Sequence, residues 1–253
     1  MTRESLPKFQ PLNVRGAGLW RGERHYVLRL DRPYTFLSSA PLGEGILDCR
    51  WILSLEVGPD DDVTYPMEYL RTRASSFGIP AAESLIGLLT AVPHVDVQVA
   101  SRSEDGVTVT ALATVGISNA SGPGQRDVPL SKDTPCERAI ADVPGTINQI
   151  TLIDADLSHG ALARASTMIT EAKTLALMEA GITTRGGSAA TGTSTDVTVV
   201  GHSGRGVHFD YAGSATLVGW LAADTAYETV RLGIRRCVRR MKAWKREAPD
   251  DLV

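Results

Sequence analysis

The segment from residue 145 to residue 213 constrains the fold more than any other part of the chain. Its hydrophobic periodicity predicts a strand, a long helix, a second strand and the approach to a last helix. Small hydroxyl, amide and carboxylate residues gather at the ends of these elements, in the motifs GTIN (145–148), TEAK (170–173), TGTSTD (191–196) and YAG (211–213). Active sites are usually assembled at such ends, on loops held by a rigid scaffold. Because most of these groups are neutral, they suit a large uncharged ligand that carries amides better than a phosphate.

The rest of the chain adds strands before this segment and a helix after it. The other predicted elements are, in order, an extended lead (1–20), strands 25–30 and 34–38 joined as a hairpin by the turn at 31–33, a strand at 50–57, helices at 66–76 and 81–91, a hairpin of strands 95–100 and 107–115, and a long loop at 116–144. Hairpins come first and strand–helix alternation comes later. We therefore expect an α+β fold in which long helices pack on a mixed, largely antiparallel sheet. We expect a single domain that spans residues 1–253.

Two long helices have clear apolar faces. The first is expected at about 159–180, with Asp156 or Ser158 as its N-cap and Gly181 as its stop. Its apolar stripe consists of Ala161, Leu162, Ala165, Met168, Ile169, Ala172, Leu175 and Ala176. The last helix is expected at about 214–245, and its packing seam consists of Trp220, Ala223, Tyr227, Val230, Ile234, Cys237, Met241 and Trp244.

Composition excludes several classes of protein. Of the 253 residues, 43% are hydrophobic and 22% are charged, which is ordinary for a globular chain that folds without a metal or disulfide. The net charge of −3 gives no basic footprint for nucleic acid. Cys49, Cys136 and Cys237 form no CxxC pair, and the sequence shows neither a signal peptide nor an apolar run long enough to cross a bilayer. We therefore expect a cytoplasmic protein without membrane insertion.

The motif TGTSTD is the main candidate for chemistry. It lies where a loop enters a strand, so Thr191, Thr193 and Ser194 can contribute hydroxyl groups. Asp196 can accept a proton or hold a water molecule at the start of the strand. A plain turn is the alternative, because Gly, Ser and Thr are common turn residues and Asp is a common cap.

The motif TEAK offers a further charged group. Glu171 and Lys173 are two residues apart, so on a regular helix they do not face each other and cannot both serve one compact site. We choose Glu171, because a carboxylate can act as a general base and, when protonated, as a general acid. The alternative is an exposed helix edge on which Lys173 lays its apolar stem along the surface.

Further polar groups lie at predicted strand ends. Ser38 and Ser39 precede a glycine-rich turn, without the GxSxG nucleophile motif around them. Asn119 and Asn148 each offer a donor and an acceptor, which suits either a ligand rich in carboxamides or a capped turn. The histidines form neither an HExxH motif nor a zinc spacing with cysteine, so we expect no metal site.

Seven short motifs occur in a fixed order along the chain. They are SSA with GEGI (38–46), LLTAV (88–92), GISNA (116–120), GTIN, TEAK, TGTSTD and YAG. In this order they resemble the adenosylcobinamide amidohydrolases, the CbiZ-type enzymes of corrinoid salvage. The resemblance implies hydrolysis of the amide that joins aminopropanol to a propionate side chain of the corrin ring, giving adenosylcobyric acid. It implies a corrinoid small molecule as the partner and no cofactor of the protein's own, since cobalt enters with the substrate; a homo-oligomer is compatible with it.

These motifs lead to a hypothesis for the mechanism, provided that they meet in one place. Asp196 is expected to position or activate the nucleophile, and Glu171 or Lys173 to serve the leaving amine. The residues expected to bind substrate are Ser38, Ser39, Asn119, Asn148, Thr191, Thr193, Ser194 and Tyr211, with Trp51, Tyr65 and Tyr211 as candidates to cover the macrocycle. In one alternative, the hydroxyl of Thr193 or Ser194 attacks and forms an acyl-enzyme. In another, the protein binds corrinoids without hydrolysing them.

Overall fold

The structure, a computed structural model, describes residues 8–124 and 145–247. Its strands are β1 (Gln10–Pro11), β2 (Ala17–Arg21), β3 (His25–Ser38), β4 (Gly45–Glu56), β5 (Leu85–Thr90), β6 (Gln98–Glu104), β7 (Val107–Val115), β8 (Ala120–Ser121), β9 (Ile147–Asp154), β10 (Asp156–Leu157), β11 (Gly192–Thr193), β12 (Val197–His202) and β13 (His208–Phe209). Its helices are α1 (Pro66–Ser76), α2 (His159–Glu179) and α3 (Leu217–Glu247), and a short 3-10 turn spans His94–Asp96. Most of the long loop expected at 116–144 lies outside the described residues.

Nine of the described strands form one mixed sheet. Its order is β1-β2-β3-β12-β9-β7-β6, and β4 pairs with β3 and carries β5. The pairs β4–β5 and β9–β12 are parallel, whereas the other neighbours in this sheet are antiparallel. The α+β class and the largely antiparallel sheet predicted from the sequence are therefore confirmed.

The sheet curls around a core that both of its halves line. The central cluster joins Leu28 and Phe36 of β3 and Ile52 of β4 to Leu112 of β7 and Ile150 of β9. Helix α1 packs outside β4 and β5, while α2 and α3 cover the outer face of β12, β9, β7 and β6. Burial of these apolar faces is the main stabilising contribution to such a layered fold.

The first predicted hairpin is wrong, because β3 runs without a turn through Asp31, Arg32 and Pro33. Strand β2 pairs with residues 26–30 of β3, and β12 pairs with residues 35–38 on the same side. The proline therefore lies in the gap between two partners, where no neighbour needs its missing N–H group. The pairing with β4 also shifts register across this stretch, and a proline is tolerated at such an irregularity.

The helix predicted at 81–91 is also wrong, since residues 85–90 form strand β5 instead. A short apolar run bounded by Gly and Pro fits a buried strand as well as a helix segment, so periodicity alone does not distinguish them. Helix α1, predicted at the correct bounds, supplies the crossover that a parallel β4–β5 pair requires.

Helix α2 has the predicted cap and nearly the predicted stripe. Ser158 Oγ accepts a hydrogen bond from Ala161 N at 3.1 Å, and Gly181 beyond the C-terminus adopts a positive φ of 65°. Every residue of the predicted stripe is buried except Leu175, which is 50% exposed. The alanines spaced along this stripe let α2 lie close to the sheet and to α3.

The seam predicted on α3 is displaced around the helix. Val230, Ile234 and Cys237 are buried as expected, but Trp220 and Met241 are 48% and 39% exposed. At the N-terminal end the buried face consists instead of Val218, Leu221, Ala222, Thr225, Ala226 and Thr229. The prediction failed there because it assigned the largest side chains to the interior, whereas the neighbouring α2 leaves room for small ones.

Gly201 fixes how closely β12 lies against β3. Its neighbour across the pair is Phe36, which is fully buried, and a Cβ atom built on Gly201 would overlap the Phe36 ring. We expect Gly201→Ala to lower the free energy of unfolding by about 1–3 kcal/mol, because overpacking displaces a ring that has nowhere to move. Urea unfolding measures this change. Gly160→Ala, in the first turn of α2, is the matched control: a Cβ atom there would meet only Ser158 Oγ, at 3.8 Å, so no loss of stability is expected.

A buried histidine joins β4 to the loop after β5. His94 Nε2 lies 3.0 Å from Ser54 Oγ, and the His94 ring is 4% exposed and edge-on to Tyr26. Glu56 Oε2 is 3.6 Å from Nδ1, but no hydrogen bond joins those atoms. Burial therefore dominates and lowers the pKa of His94 to about 4.

This histidine makes the fold sensitive to acid. In the unfolded chain the imidazole binds a proton below a pKa of about 6.5, whereas the folded chain resists protonation until about pH 4. Stability is therefore full above pH 6.5 and falls as the pH drops towards 4. Between pH 7 and pH 4.5, we expect the free energy of unfolding of His94→Gln to fall by about 2 kcal/mol less than that of the parent. Urea unfolding at both pH values measures this difference. Equal losses in the two proteins would contradict this assignment.

Candidate active site

Four chain segments that are distant in sequence meet at one edge of the sheet. Strands β9 and β12 run parallel and begin side by side, with Asn148 opposite Val197. Strand β7 is antiparallel to β9 and ends there, with Val115 opposite Ile147. Just beyond this edge, β8 and β11 form a small antiparallel pair in which Thr193 lies opposite Ala120. The motifs GISNA, GTIN and TGTSTD are thereby brought together.

Asp196 is the centre of this cluster. Its Oδ2 accepts a hydrogen bond from Lys173 Nζ of α2 at 2.5 Å. Its Oδ1 accepts one from Ile147 N at 3.1 Å and another from Thr193 Oγ1. The turn that joins β11 to β12 folds Asp196 back towards Thr193. The motif TGTSTD is therefore a turn, and this turn is also what places the carboxylate beside the hydroxyl group.

The ion pair between Lys173 and Asp196 is shielded from water. Their side chains are only 8% and 13% exposed. A lysine is rarely buried unless it is paired, and removing one member of such a pair leaves an uncompensated charge that costs about 3 kcal/mol or more. The pair is therefore held firmly as long as both charges are present.

Gly192 lets the main chain pass directly against this pair. A Cβ atom built there would overlap Asp196 Oδ2 and lie 3.2 Å from Lys173 Nζ. Any side chain at this position would push β11 away from α2. Thr191 and Thr174 reinforce the contact, because Thr174 Oγ1 of α2 donates to the Thr191 carbonyl at 3.2 Å.

Hydrogen bonds fix the orientation of Asn119 and of the hydroxyl groups beside it. Thr195 Oγ1 donates its only hydrogen to the Gly145 carbonyl at 3.1 Å, so it can only accept from Asn119. Asn119 must therefore direct its Nδ2 towards Thr195, at 3.5 Å, and towards Ser194 Oγ, at 3.0 Å. The Ser194 oxygen is thus an acceptor in this contact, which leaves its own hydrogen for another acceptor at an exposed position.

Asn148 is engaged inside the protein. It is fully buried, its Nδ2 donates to the Leu89 carbonyl at 2.8 Å, and its Oδ1 accepts from Thr146 Oγ1 at 3.2 Å. The same Thr146 hydroxyl lies 2.9 Å from the Thr195 carbonyl. These contacts tie the end of β5 and the TGTSTD turn to the start of β9. Its predicted contact with substrate is untested, and the structure gives it this internal role.

The two serines of the SSA motif lie at the same edge of the sheet. Ser39 is exposed, and its Oγ donates to the Thr198 carbonyl at 3.3 Å and accepts from Thr198 N at 3.0 Å. Ser38 is buried, and its Oγ accepts from Ala40 N at 3.1 Å. Both hydroxyl groups therefore already stabilise the end of β3 where it meets β12.

The remaining predicted residues are not brought into the cluster. Glu171 is 55% exposed and forms an ion pair with Arg164 at 3.1 Å, on the opposite side of α2 from Lys173. Tyr65 and Tyr211 are 72% and 77% exposed. Trp51 is buried and donates its Nε1 hydrogen to Glu83 Oε2 at 2.6 Å, so its ring is not available to cover a macrocycle.

Two contributors to the cluster had no signal of their own in the sequence. Thr146 holds the turn through its hydroxyl group, and Ile147 supplies a backbone N–H to Asp196. Both belong to the motif GTIN, of which the sequence analysis selected only the asparagine. A backbone donor is invisible in the sequence, because its direction depends on where the neighbouring strand begins.

Neither a metal cluster nor a membrane helix is found in the described parts of the chain. Residues 8–124 and 145–247 contain no group of three or more His, Cys, Asp or Glu side chains placed to hold a metal ion. Along the same residues, no helix combines the length and apolar character needed to cross a bilayer.

Comparison with known proteins identifies the family. A family model described as adenosylcobinamide amidohydrolase matches residues 15–242. The adenosylcobinamide amidohydrolase of Methanosarcina mazei is 32% identical over 205 residues, which cover 78% of this chain and 88% of the relative. An uncharacterized protein of Methanocaldococcus jannaschii is 36% identical over 157 residues, covering 57% of this chain and 61% of that protein.

Solved structures give weaker matches of the whole fold. The PH0078 protein of Pyrococcus horikoshii is 13% identical with a TM-score of 0.45, covering 91% of this chain and 89% of that one. A β-aminopeptidase of a Burkholderia species is also 13% identical, with a TM-score of 0.40 and coverage of 92% and 81%. The family assignment therefore stands on the sequence matches: the chain belongs to the adenosylcobinamide amidohydrolase family, a family of hydrolases that act on an amide bond.

Proposed function

We propose that this enzyme hydrolyses the amide that joins aminopropanol to the corrin ring of adenosylcobinamide or a related corrinoid, releasing adenosylcobyric acid. The family match and the name of the Methanosarcina mazei relative support the substrate class. The observation that carries the chemistry is the shielded Lys173–Asp196 pair, with the Thr193 hydroxyl bound to the same carboxylate. Amide hydrolysis needs a group that accepts a proton and a group that supplies one to the amine, and this pair contains both.

Asp196 acts as an organiser in this proposal. Three donors already bind its carboxylate, which holds it in place and directs the Thr193 hydroxyl. Lys173 places a positive charge in a poorly hydrated site, where it acts more strongly on a developing negative charge than it would in water. Of the two TEAK residues considered for the leaving amine, Lys173 is the one that the geometry favours.

Ser194 is the group best placed to contact the substrate. It is exposed, and because its oxygen accepts from Asn119, its hydrogen is available to a carbonyl oxygen of the ligand. A fixed donor aimed at the reacting carbonyl stabilises the negative charge that develops there during attack. Asn119 positions this donor through its own hydrogen bond to the Ser194 oxygen.

The protein needs no metal or cofactor of its own in this proposal. Cobalt is part of the corrinoid substrate, and the groups proposed for the reaction are a carboxylate, an ammonium group and hydroxyl groups. We place the reaction in the cytoplasm, in keeping with three cysteines that lack the spacing of a disulfide framework.

The direct test follows both products. Incubation of the purified protein with adenosylcobinamide is expected to release aminopropanol and adenosylcobyric acid in equal amounts, measured by mass spectrometry. Binding of the corrinoid without release of aminopropanol would instead identify a corrinoid-binding protein, which is the second candidate function.

Substitutions at the ion pair separate its chemical role from its structural one. We expect Asp196→Asn and Lys173→Met each to lower turnover by about a hundredfold or more. Each is also expected to lower the free energy of unfolding by about 3 kcal/mol, because each leaves one charge without its partner. The double variant removes both charges, so it should recover much of the stability while its turnover stays low.

Glu171→Gln tests the other TEAK residue. This carboxylate is exposed and paired with Arg164, and an ion pair of that kind contributes less than about 1 kcal/mol. We therefore expect turnover within about twofold of the parent. A loss as large as that of Lys173→Met would return the leaving-amine role to Glu171. Asp224→Asn, which breaks the surface ion pair with Arg102, controls for the loss of a carboxylate elsewhere.

A further inference from the structure

The hydrogen bonds of Asp196 bear on which oxygen attacks the amide. A carboxylate offers about four lone-pair positions. Within the described residues, donors from Ile147, Thr193 and Lys173 occupy three of them. One position remains, and a water molecule would first have to bind there before Asp196 could activate it. The Thr193 hydroxyl needs no such step, because its hydrogen is already directed at the carboxylate.

From this arrangement we propose that Thr193 Oγ1 is the nucleophile and that the reaction passes through an ester between Thr193 and the corrin-ring acyl group. The inference rests on the proposed function and adds the identity of the attacking atom. Nucleophilic catalysis by a hydroxyl group requires an acceptor for its proton within hydrogen-bond reach, and Asp196 meets this requirement.

The proton balance of the first step closes within the cluster. The Thr193 oxygen forms a bond to the amide carbon as its proton passes to Asp196 Oδ1. The bond between that carbon and the amide nitrogen then breaks, and the departing aminopropanol nitrogen takes a proton from Lys173. Asp196 is now protonated and Lys173 neutral, and because they are in direct contact, one transfer between them restores the original ion pair.

The second step uses the same groups. Water attacks the ester carbon, its proton passes through the Lys173–Asp196 pair, and the Thr193 oxygen leaves and recovers its hydrogen. The products are the ring carboxylic acid and the original enzyme. Water is the only co-reactant, as the overall hydrolysis requires.

The main chain holds Thr193 where this chemistry needs it. Strand pairing with Ala120 fixes its backbone, and the lack of a side chain at Gly192 lets that backbone lie against the ion pair. Thr193 is half-buried, while Ser194 beside it is exposed with a hydrogen available to the substrate carbonyl. An attacking oxygen, its proton acceptor, a cation and a carbonyl donor therefore lie within one short segment and its contacts.

The experiment looks for the ester and for its capture. The full chain is mixed with adenosylcobinamide and quenched at short times, and its peptides are searched by mass spectrometry for the ring acyl group on Thr193. In parallel, hydroxylamine is added during turnover. If an ester forms, hydroxylamine is expected to capture it, so that ring hydroxamate replaces part of the ring acid. The rate of aminopropanol release should not change, because acylation sets it.

Three variants accompany the parent protein. Thr193→Val keeps the shape of the side chain but lacks the attacking oxygen, so aminopropanol release should fall by about a thousandfold or more. Thr193→Ser keeps the hydroxyl group and is expected to retain measurable turnover and the ester. Thr167→Val is the matched control, because Thr167 is an exposed threonine of α2 whose hydroxyl only bonds its own helix.

The outcomes distinguish this inference from the proposed function. An ester on Thr193, or hydroxamate formed at an unchanged rate of aminopropanol release, supports the nucleophile. If the parent releases aminopropanol but forms neither the ester nor the hydroxamate, Thr193 is not the nucleophile, and the proposed function still stands. Substantial turnover by Thr193→Val leads to the same conclusion. No aminopropanol release by the parent overturns the proposed function, and the nucleophile with it.

Discussion

The shielded ion pair between Lys173 and Asp196 is the interaction on which the arrangement of this site depends. It joins α2 to the turn before β12. Burying two charges is expensive, and an apolar pair of similar volume would often serve stability equally well. Its presence at a point where four segments converge supports the proposed chemical role, since charged groups held in poorly hydrated sites are often functional.

The sheet topology explains why this convergence is possible. A parallel pair such as β9 and β12 places both of its strand starts at one edge, and an antiparallel neighbour such as β7 brings its end to the same edge. The described residues that adjoin these three strand ends therefore lie side by side. Asn148, buried within this edge, joins them to the end of β5, so the scaffold beneath the cluster is fixed by hydrogen bonds and not by packing alone.

Much of this could be predicted from the sequence, where local signals are strong. Ser158 and Gly181 mark the ends of α2 through their own chemistry, and Pro66 marks the start of α1. The errors arose where tertiary context decides: Pro33 lies within a long strand because two partners leave a gap beside it, and residues 85–90 are a strand because β4 offers a parallel edge. In the site, the sequence identified the motif that contains both Glu171 and Lys173. It did not show which of the two lies beside Asp196, since the orientation of a helix about its axis is set by packing.

The TGTSTD turn shows how one short segment both builds a site and presents it. Its consecutive hydroxyl groups have different partners: Thr193 bonds Asp196, Ser194 accepts from Asn119, and Thr195 donates to the Gly145 carbonyl. Thr195 fixes the direction of the Asn119 amide, and that amide in turn fixes which atom Ser194 can offer to a ligand. The three positions are therefore not interchangeable, although all three carry the same functional group. Because of the backbone turn between β11 and β12, the position of each hydroxyl along the chain determines whether it lies against the charged pair or faces outward.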